Sequence, residues 1–262
     1  MIKPLYAFIY SLAVSLLLIS GEVAAKQTPE AKVASKTGVL VWGDSLSAAY
    51  GIQQEEGWVT LLQEQYKDEL EIVNASISGE TTQGGLTRLP DALERHKPTL
   101  LLLELGANDG LRGIKTEVMQ ANLQKMIEIS QAADVRVVLL GIRIPLNYGF
   151  TYTQKFEQVY VDLAEKFDLP FLPFLLEPIA LDYDLMQSDG LHPTAAAQPQ
   201  VLEHILTVLQ PEIEKMLAPE NTEQSMESEK ATQNSQEAES KELTQSSKLG
   251  SAAKASIATE SN

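Results

Sequence analysis

Five short apolar runs recur along the middle of the chain and predict the strands of a buried sheet. They cover residues 39–42, 70–74, 100–105, 135–142 and 171–172. The third and fourth runs are almost uninterrupted leucine or valine, a pattern typical of parallel strands that are covered on both faces. The sequence therefore predicts a parallel sheet of five strands.

Segments with helical spacing separate these runs. Apolar side chains recur three or four positions apart over residues 58–66, 86–93, 118–129, 156–167 and 201–209. Strands that alternate with helices form a parallel sheet with helices on both faces, because the crossovers between parallel strands are right-handed. We therefore expect an α/β fold, a three-layer α/β/α sandwich.

The start of the chain differs from this middle part. Residues 1–25 combine Lys3, an apolar stretch over 5–19 and small residues up to Ala25, which is the pattern of a cleaved signal peptide. An uncleaved membrane anchor is the alternative, but the apolar stretch is shorter than the roughly 20 residues that span a bilayer. The sequence predicts export to the periplasm or the medium, with a short linker over 26–36.

The end of the chain is polar and low in complexity. Residues 219–262 consist mostly of Glu, Ser, Gln, Lys, Thr, Asn and Ala and contain no aromatic residue. Such a segment buries too little apolar surface to offset its ordering entropy, so it is predicted to be a disordered acidic tail. Residues 37–218 remain, the length of one ordinary domain.

Charge and composition narrow the classes of function. The net charge is −16, which argues against nucleic acid and anionic lipid surfaces as partners. The chain has no cysteine, so it has neither a disulfide nor a thiol nucleophile. We expect a monomer with no stable membrane span and no metal, since neither His192 nor His96 has a second histidine at ligand spacing. We expect no cofactor: the turn after the first predicted strand lacks the glycine pattern of nucleotide-binding proteins.

A serine follows the first predicted strand, where open α/β sheets carry their chemistry. Gly43 permits a sharp turn there, and Ser45 leaves that turn as a candidate nucleophile. A base is offered by His192, because Asp189 precedes it by three positions and Gly190 allows a tight turn between them. An aspartate on Nδ1 would fix the tautomer and leave Nε2 free to accept a proton.

The aspartates and histidines also have structural interpretations, and for Asp189 and His192 taken alone the two interpretations carry similar weight. Asp189 could simply cap or turn the chain into the last helix. His96 lies at a predicted helix end and His204 on the last helix, where surface positions are expected. Asp44, beside the serine, is interpreted as holding the turn through local backbone hydrogen bonds and not as a catalytic acid.

Two further loops at the same sheet edge offer donors for an oxyanion. Gly79 follows the second predicted strand and has no side chain to block its N–H. Asn108 follows the third and offers a neutral NH₂ group. Each is individually ordinary turn chemistry.

Together these segments resemble the signature blocks of the SGNH (GDSL) hydrolases, over about residues 38–217. The resemblance rests on Gly43-Asp44-Ser45-Leu46-Ser47, Gly79, Gly106-Ala107-Asn108-Asp109 and Asp189-Gly190-Leu191-His192-Pro193. It implies a flavodoxin-like fold, Ser45, Asp189 and His192 as catalytic residues, and an oxyanion hole of Ser45, Gly79 and Asn108. Ser78-Gly79-Glu80-Thr81-Thr82 and Pro145-Leu146-Asn147-Tyr148-Gly149 are similar to a periplasmic branch with thioesterase, lysophospholipase and arylesterase activities.

The resemblance implies a small acyl ester or lysophospholipid as substrate, and acyl thioesters as further ones. Leu111, Pro145 and Tyr148 are expected to offer an apolar surface to the acyl chain. A carbohydrate O-deacetylase of the same family is the alternative. A non-catalytic protein that binds lipids or glycans is the competing class.

Overall fold

The computed structural model describes residues 37–218. The predicted signal peptide, linker and acidic tail lie outside the described residues. The strands are β1 (Thr37–Gly43), β2 (Leu70–Asn74), β3 (Leu100–Glu104), β4 (Arg136–Leu140) and β5 (Phe171–Leu172). The α-helices are α1 (Trp58–Gln65), α2 (Thr82–His96), α3 (Ala107–Leu111), α4 (Thr116–Ala132), α5 (Phe150–Phe167) and α6 (Gln198–Leu217). Short 3-10 helices lie at Gln54–Glu56, Leu146–Tyr148 and Ala195–Ala197.

The five strands form one parallel sheet in the order β2-β1-β3-β4-β5. This is the flavodoxin-like order, in which the chain leaves β1 toward one edge and later returns to β1's other side with β3. Ligands in such sheets bind at the carboxyl ends of the strands where this reversal occurs. Gly43 and Glu104, the last residues of β1 and β3, are paired in register at that point.

The core has two halves, one on each face of the sheet. In β1, Val39 and Val41 pack with residues of α1 and α6, whereas Leu40 and Trp42 pack with residues of α2, α4 and α5. Side chains alternate between faces along a strand, so this division follows directly from the apolar run. The predicted three-layer sandwich is confirmed, and the almost continuous apolar strands are buried on both faces.

The structure differs from the sequence prediction around α3 and α4. Gly106 has φ 132° and ends the strand, after which Asn108 lies in the short helix α3 and not in an irregular loop. Val118, which the spacing placed on the core face of α4, is 44% exposed. Among the described residues, no helix combines the length and the apolar character needed to cross a membrane.

Candidate active site

Ser45 lies in a tight turn directly after β1. The backbone N–H groups of Ser47 and Ala48 both donate to the carbonyl of Asp44, at 3.3 and 3.0 Å. The N–H of Leu46 donates to Asp44 Oδ1 at 3.1 Å. The turn buries Asp44 and Ser47 and leaves Ser45 partly exposed at the sheet edge. Asp44 therefore does hold the turn through a local hydrogen bond, as interpreted from the sequence.

The structure brings Ser45, His192 and Asp189 into one hydrogen-bonded chain. His192 Nε2 lies 2.8 Å from Ser45 Oγ. His192 Nδ1 lies 2.7 Å from Asp189 Oδ2. Gly190, at φ 67°, allows the loop before α6 to turn the aspartate back onto the ring. The ring of Tyr50 covers the imidazole with its centroid at 4.5 Å.

Asp189 also holds its own loop together. Its Oδ1 accepts the N–H of Leu191 at 2.9 Å and that of His192 at 3.0 Å. Partial burial acts to raise the pKa of Asp189, but the hydrogen bonds from Leu191 and His192 and the charge of His192 outweigh it and lower the pKa to about 2. The carboxylate therefore remains ionised at neutral pH, which suits a group that orients an imidazole.

Asn108 lies in α3, beside the turn that carries Ser45. Its Nδ2 donates to Asp44 Oδ2 at 3.1 Å, and Asn108 lines the same cavity as Ser45. The adjacent Asp109 is buried and accepts the N–H and the hydroxyl of Thr82, at 2.8 and 2.6 Å. This contact ties α3 to the start of α2, so the position of Asn108 is fixed from both sides.

Gly79 lies in the exposed loop between β2 and α2. It has φ 81°, a conformation that favours glycine. Its carbonyl accepts Nη2 of Arg112 at 2.9 Å. Arg112 directly follows α3, so this hydrogen bond links the Gly79 loop to the helix that carries Asn108.

A second carboxyl group lies beneath the serine turn. Glu104 is completely buried, and its Oε2 accepts the hydroxyl of Ser47 at 2.7 Å and the N–H of Asp44 at 3.2 Å. Burial, reinforced by the nearby charge of Asp44, raises the pKa of Glu104 well above its usual value. Burial also raises the pKa of Asp44 to about 6, against the hydrogen bonds from Leu46 and Asn108. Sequence reasoning missed this pair, although a lone glutamate ending a run of four leucines was a signal.

Glu104→Gln is expected to stabilise the protein increasingly as the pH rises. The folded-state pKa of Glu104 is raised, so from about pH 4 upward the unfolded chain releases a proton that the native state keeps, and native stability falls. A glutamine does not titrate, so the variant does not lose this stability. The difference amounts to about 1.4 kcal/mol for each pH unit between the pKa of Glu104 in the unfolded chain and that in the native state. Urea unfolding at pH 4 and pH 8 measures it. A mutant that loses more stability at pH 8 than at pH 4 would show that Glu104 is ionised in the native state.

A cavity of about 600 Å³ opens beside Ser45 and His192. Its wall is mostly apolar and comes from the segments after β4 and β5, from α3 and from the loop before α6. It includes Leu111, Ile142, Ile144, Pro145, Leu146, Phe174, Leu175, Leu176, Leu181, Met186 and Leu191. Leu111 and Pro145, for which the sequence predicts an apolar surface for an acyl chain, are both among these residues.

Tyr148 has a different position from the one predicted. It is not among the residues lining the cavity, and its hydroxyl donates to the carbonyl of Leu111 at 3.1 Å. This hydrogen bond links the 3-10 helix at Leu146–Tyr148 to the last residue of α3. Sequence reasoning missed most of the lining residues, although Ile142, Ile144 and Phe174 follow strand ends and could have been found by that rule.

Neither of the other two histidines lines this cavity. His96 is the last residue of α2, as predicted. His204 is only partly exposed, and its Nε2 lies 3.1 Å from the carbonyl of Phe174. Within residues 37–218 there is no cluster of three or more side chains that could hold a metal ion.

Comparison with known proteins gives the family. Residues 41–198 match the GDSL-like Lipase/Acylhydrolase family. The chain is 44% identical over 198 residues to "Esterase TesA" of Pseudomonas aeruginosa, an alignment that covers 74% of this chain and 98% of that protein. It is 41% identical over 180 residues to "Thioesterase 1/protease 1/lysophospholipase L1" of Escherichia coli (strain K12), covering 69% of this chain and 86% of that protein.

A solved structure agrees with these relatives. The psychrotrophic esterase EstA from Pseudoalteromonas sp., inhibited by monoethylphosphonate, superimposes with a TM-score of 0.65 at 44% identity. The match covers 68% of this chain and 99% of that one. The resemblance noted in the sequence is thereby confirmed: the chain belongs to the GDSL-like lipase/acylhydrolase family.

Proposed function

We propose that this protein hydrolyses carboxylic esters through a covalent acyl intermediate on Ser45. The observation that carries the proposal is the continuous chain from Ser45 Oγ to His192 Nε2, at 2.8 Å, and from His192 Nδ1 to Asp189 Oδ2, at 2.7 Å. A nucleophile within hydrogen-bond reach of a base, which a third group orients in turn, is the arrangement that acyl transfer by serine requires.

The reaction proceeds in two steps. Ser45 Oγ attacks the carbonyl carbon while His192 Nε2 takes the hydroxyl proton, and Asp189 stabilises the imidazolium that forms. The tetrahedral intermediate collapses, the bond to the leaving oxygen or sulfur breaks, and His192 returns the proton to that atom. Water then attacks the acyl-serine with His192 again as the base, which releases the acid and restores the hydroxyl of Ser45.

Negative charge on the carbonyl oxygen needs preorganised donors. We assign these to the N–H groups of Ser45 and Gly79 and to Nδ2 of Asn108. Asn108 and Ser45 line one cavity, and the Arg112 contact ties the Gly79 loop to the helix of Asn108. Donors held in place before the reaction stabilise the transition state without a reorganisation cost.

The cavity beside Ser45 favours an acyl chain as the group it recognises. Its wall is mostly apolar, and Leu146 and Leu181 on its rim are 75% and 94% exposed. We therefore propose lysophospholipids and aryl esters as substrates, with acyl thioesters as a further class, in keeping with the relative described as a thioesterase and lysophospholipase. We also propose export through the signal peptide over residues 1–25. An exported enzyme meets lipid esters and not cytosolic acyl-CoA.

The chain-length dependence of kcat/KM tests this assignment. Each methylene that enters the cavity contributes about 0.8 kcal/mol, or about fourfold in kcat/KM, if its burial is complete in the transition state. We expect p-nitrophenyl esters to improve stepwise from acetyl through butyryl to octanoyl. Leu146→Ser should flatten this trend, whereas Leu217→Ser, a partly exposed leucine at the end of α6, should leave it unchanged.

Two outcomes would favour the alternatives. An acetyl ester that is hydrolysed faster than every longer ester would favour a carbohydrate O-deacetylase. Binding of lipid or glycan without turnover of any ester would favour the non-catalytic class of protein.

A further inference from the structure

Two carboxyl groups lie immediately beneath the proposed nucleophile, and the acyl transfer described above uses neither. Asp44 and Glu104 are both completely shielded from solvent. They are joined by the hydrogen bond from the N–H of Asp44 to Glu104 Oε2, at 3.2 Å. Burial of two acids costs free energy unless one stays neutral or both gain strong partners, so their contacts call for an explanation.

The contacts of Asp44 lead to the oxyanion hole. Asp44 Oδ1 accepts the N–H of Leu46 at 3.1 Å, and Oδ2 accepts Nδ2 of Asn108 at 3.1 Å. An asparagine amide carries two N–H groups, and Asp44 engages one of them. A carboxylate can only accept, so it fixes which end of the amide faces it and leaves the second N–H for the cavity side.

The contacts of Glu104 lead to the turn that carries Ser45. Its Oε2 accepts the hydroxyl of Ser47 and the N–H of Asp44, residues within two positions of the serine on either side. Glu104 also packs closely against the start of the turn, because a side chain at Gly43 would clash with Glu104 Oε2. Glu104 Oε1 lacks a hydrogen-bond partner among the described residues. A buried carboxylate needs donors on both oxygens, and no donor from the described part of the chain reaches Oε1, so these contacts favour the neutral acid for Glu104.

We propose that Asp44 and Glu104 are a pair of positioning residues. Asp44, as a carboxylate, orients the amide of Asn108 toward the substrate oxygen, and Glu104, as a neutral acid, holds the turn that presents Ser45. The inference rests on the proposed acyl transfer and extends it to the residues that preorganise the site. Two adjacent buried carboxyl groups are more stable with one shared proton than with two negative charges, because burial excludes the water that would solvate the second charge.

The charged and titratable groups around Asp44 come from four elements. Glu104 faces it from β3, Asp109 from α3, His192 from the loop before α6, and the interaction with Tyr160 comes from α5. The charge of His192 lowers the pKa of Asp44 and that of Asp109 raises it. Each oxygen of Asp44 accepts a hydrogen bond, whereas Glu104 Oε1 accepts none from residues 37–218, so Asp44 is the member of the pair that ionises first.

A double-mutant cycle between Asp44 and Asn108 tests the orienting role. In D44N one oxygen becomes an NH₂ group. The N–H of Leu46 still needs an oxygen as its acceptor, so the new NH₂ group is turned toward Asn108. There it opposes the NH₂ group of Asn108, and two donors face each other. We expect kcat for a soluble ester to fall about 10- to 100-fold in D44N, with KM little changed, and about 10²–10³-fold in N108A, the cost of one lost donor. The double mutant should lie within about threefold of N108A, because Asp44 acts through Asn108.

Glu212→Gln is the matched control for D44N. Glu212 is another buried carboxylate, in α6, paired with Lys215 of the same helix and with Arg136 at the start of β4, and its loss should change stability and not kcat. A double mutant whose kcat falls by the product of the two single effects would overturn the proposal and assign Asp44 a purely structural role. If instead N108A and Ser45→Ala retain full activity, it is the proposed function that fails.

The pH profile supplies a second test. Burial raises the pKa of Asp44 to about 6, and its carboxylate is the form that accepts the amide of Asn108, so protonation of Asp44 should steepen the fall of log kcat on the acid side. D44N removes this ionisation, so the fall should be less steep in the variant than in the wild type. Acid limbs of equal slope in the two proteins would contradict the role of Asp44.

Two substitutions of Glu104 test its neutral form. Glu104→Gln keeps an acceptor for Ser47 and Asp44 without a charge, so kcat should stay within about threefold of the wild type. Glu104→Ala loses the acceptor and should lower kcat at least tenfold. A glutamine variant that falls as far as the alanine variant would show that Glu104 acts as a charge, contrary to the proposal.

Discussion

Ser45→Ala is expected to lower kcat for a soluble p-nitrophenyl ester by roughly 10⁶-fold, the loss known for removal of a triad serine. The hydroxyl is the atom that forms the acyl bond, so no other group can replace it in the two-step path. The oxyanion donors of Gly79 and Asn108 remain, and they should leave a rate about 10³–10⁴-fold above that of the reaction in water. Steady-state kinetics with octanoyl and butyryl esters measures the fall.

Ser188→Ala provides the matched control. Ser188 is an exposed serine in the loop before α6, next to Asp189, and should retain the wild-type kcat. Both variants should unfold at the temperature of the wild type, since neither removes a buried apolar group. A folded Ser45→Ala protein that hydrolyses the ester at the wild-type rate would disprove the assignment of the nucleophile.

Asp189→Asn is expected to lower kcat by about 10⁴-fold with little change in KM. Asp189 Oδ1 accepts the backbone N–H groups of Leu191 and His192, and those contacts keep an oxygen on that side in the asparagine. The NH₂ group then faces His192 Nδ1, which must become an acceptor. The proton moves to Nε2, and the ring can no longer accept the proton of Ser45.

The kinetics of Asp189→Asn should be compared with those of Asp184→Asn. Asp184 is an exposed aspartate of the same segment, and its substitution should have no effect on kcat. The pKa of Asp189 is lowered to about 2, so loss of its charge does not contribute to the activity profile between pH 5 and 9. A variant Asp189→Asn with a kcat within tenfold of the wild type would show that Asp189 only shapes the loop.

The fold could be predicted from the sequence because its strands are buried on both faces. Residues 100–104 are four leucines and a glutamate, and every one of them is buried. Such a run has no polar face to offer to water, so it fits only between two layers of helices. The sequence order of strands does not give their spatial order, which came from the resemblance and is confirmed as β2-β1-β3-β4-β5.

The contacts among the candidate site residues were predictable in part. Ser45, Gly79 and Asn108 follow strand ends, and parallel strands bring such positions to one edge of the sheet. Asp189 and His192 were found because three residues separate them around a glycine. Both of these arguments use positions and spacing along the chain, which local sequence shows directly.

The remaining features depend on contacts between distant residues. The hydrogen bond between Glu104 and Ser47 joins residues 57 positions apart in sequence, and that between Asn108 and Asp44 joins residues 64 positions apart. No periodicity in the sequence indicates such pairs. Tyr148 was expected in the cavity because it is apolar and close to Pro145 in sequence. Its hydroxyl instead donates to the carbonyl of Leu111, and Tyr148 is not among the residues that line the cavity.

Covalent labelling tests whether Ser45 is the nucleophile. The intact protein would be treated with a fluorophosphonate, digested, and the modified peptide identified by mass spectrometry. We predict one phosphonyl group per chain, on Ser45, formed in step with the loss of esterase activity and absent from Ser45→Ala. Loss of activity with the label on a different residue, or full esterase activity in a protein whose Ser45 is completely labelled, would contradict the account.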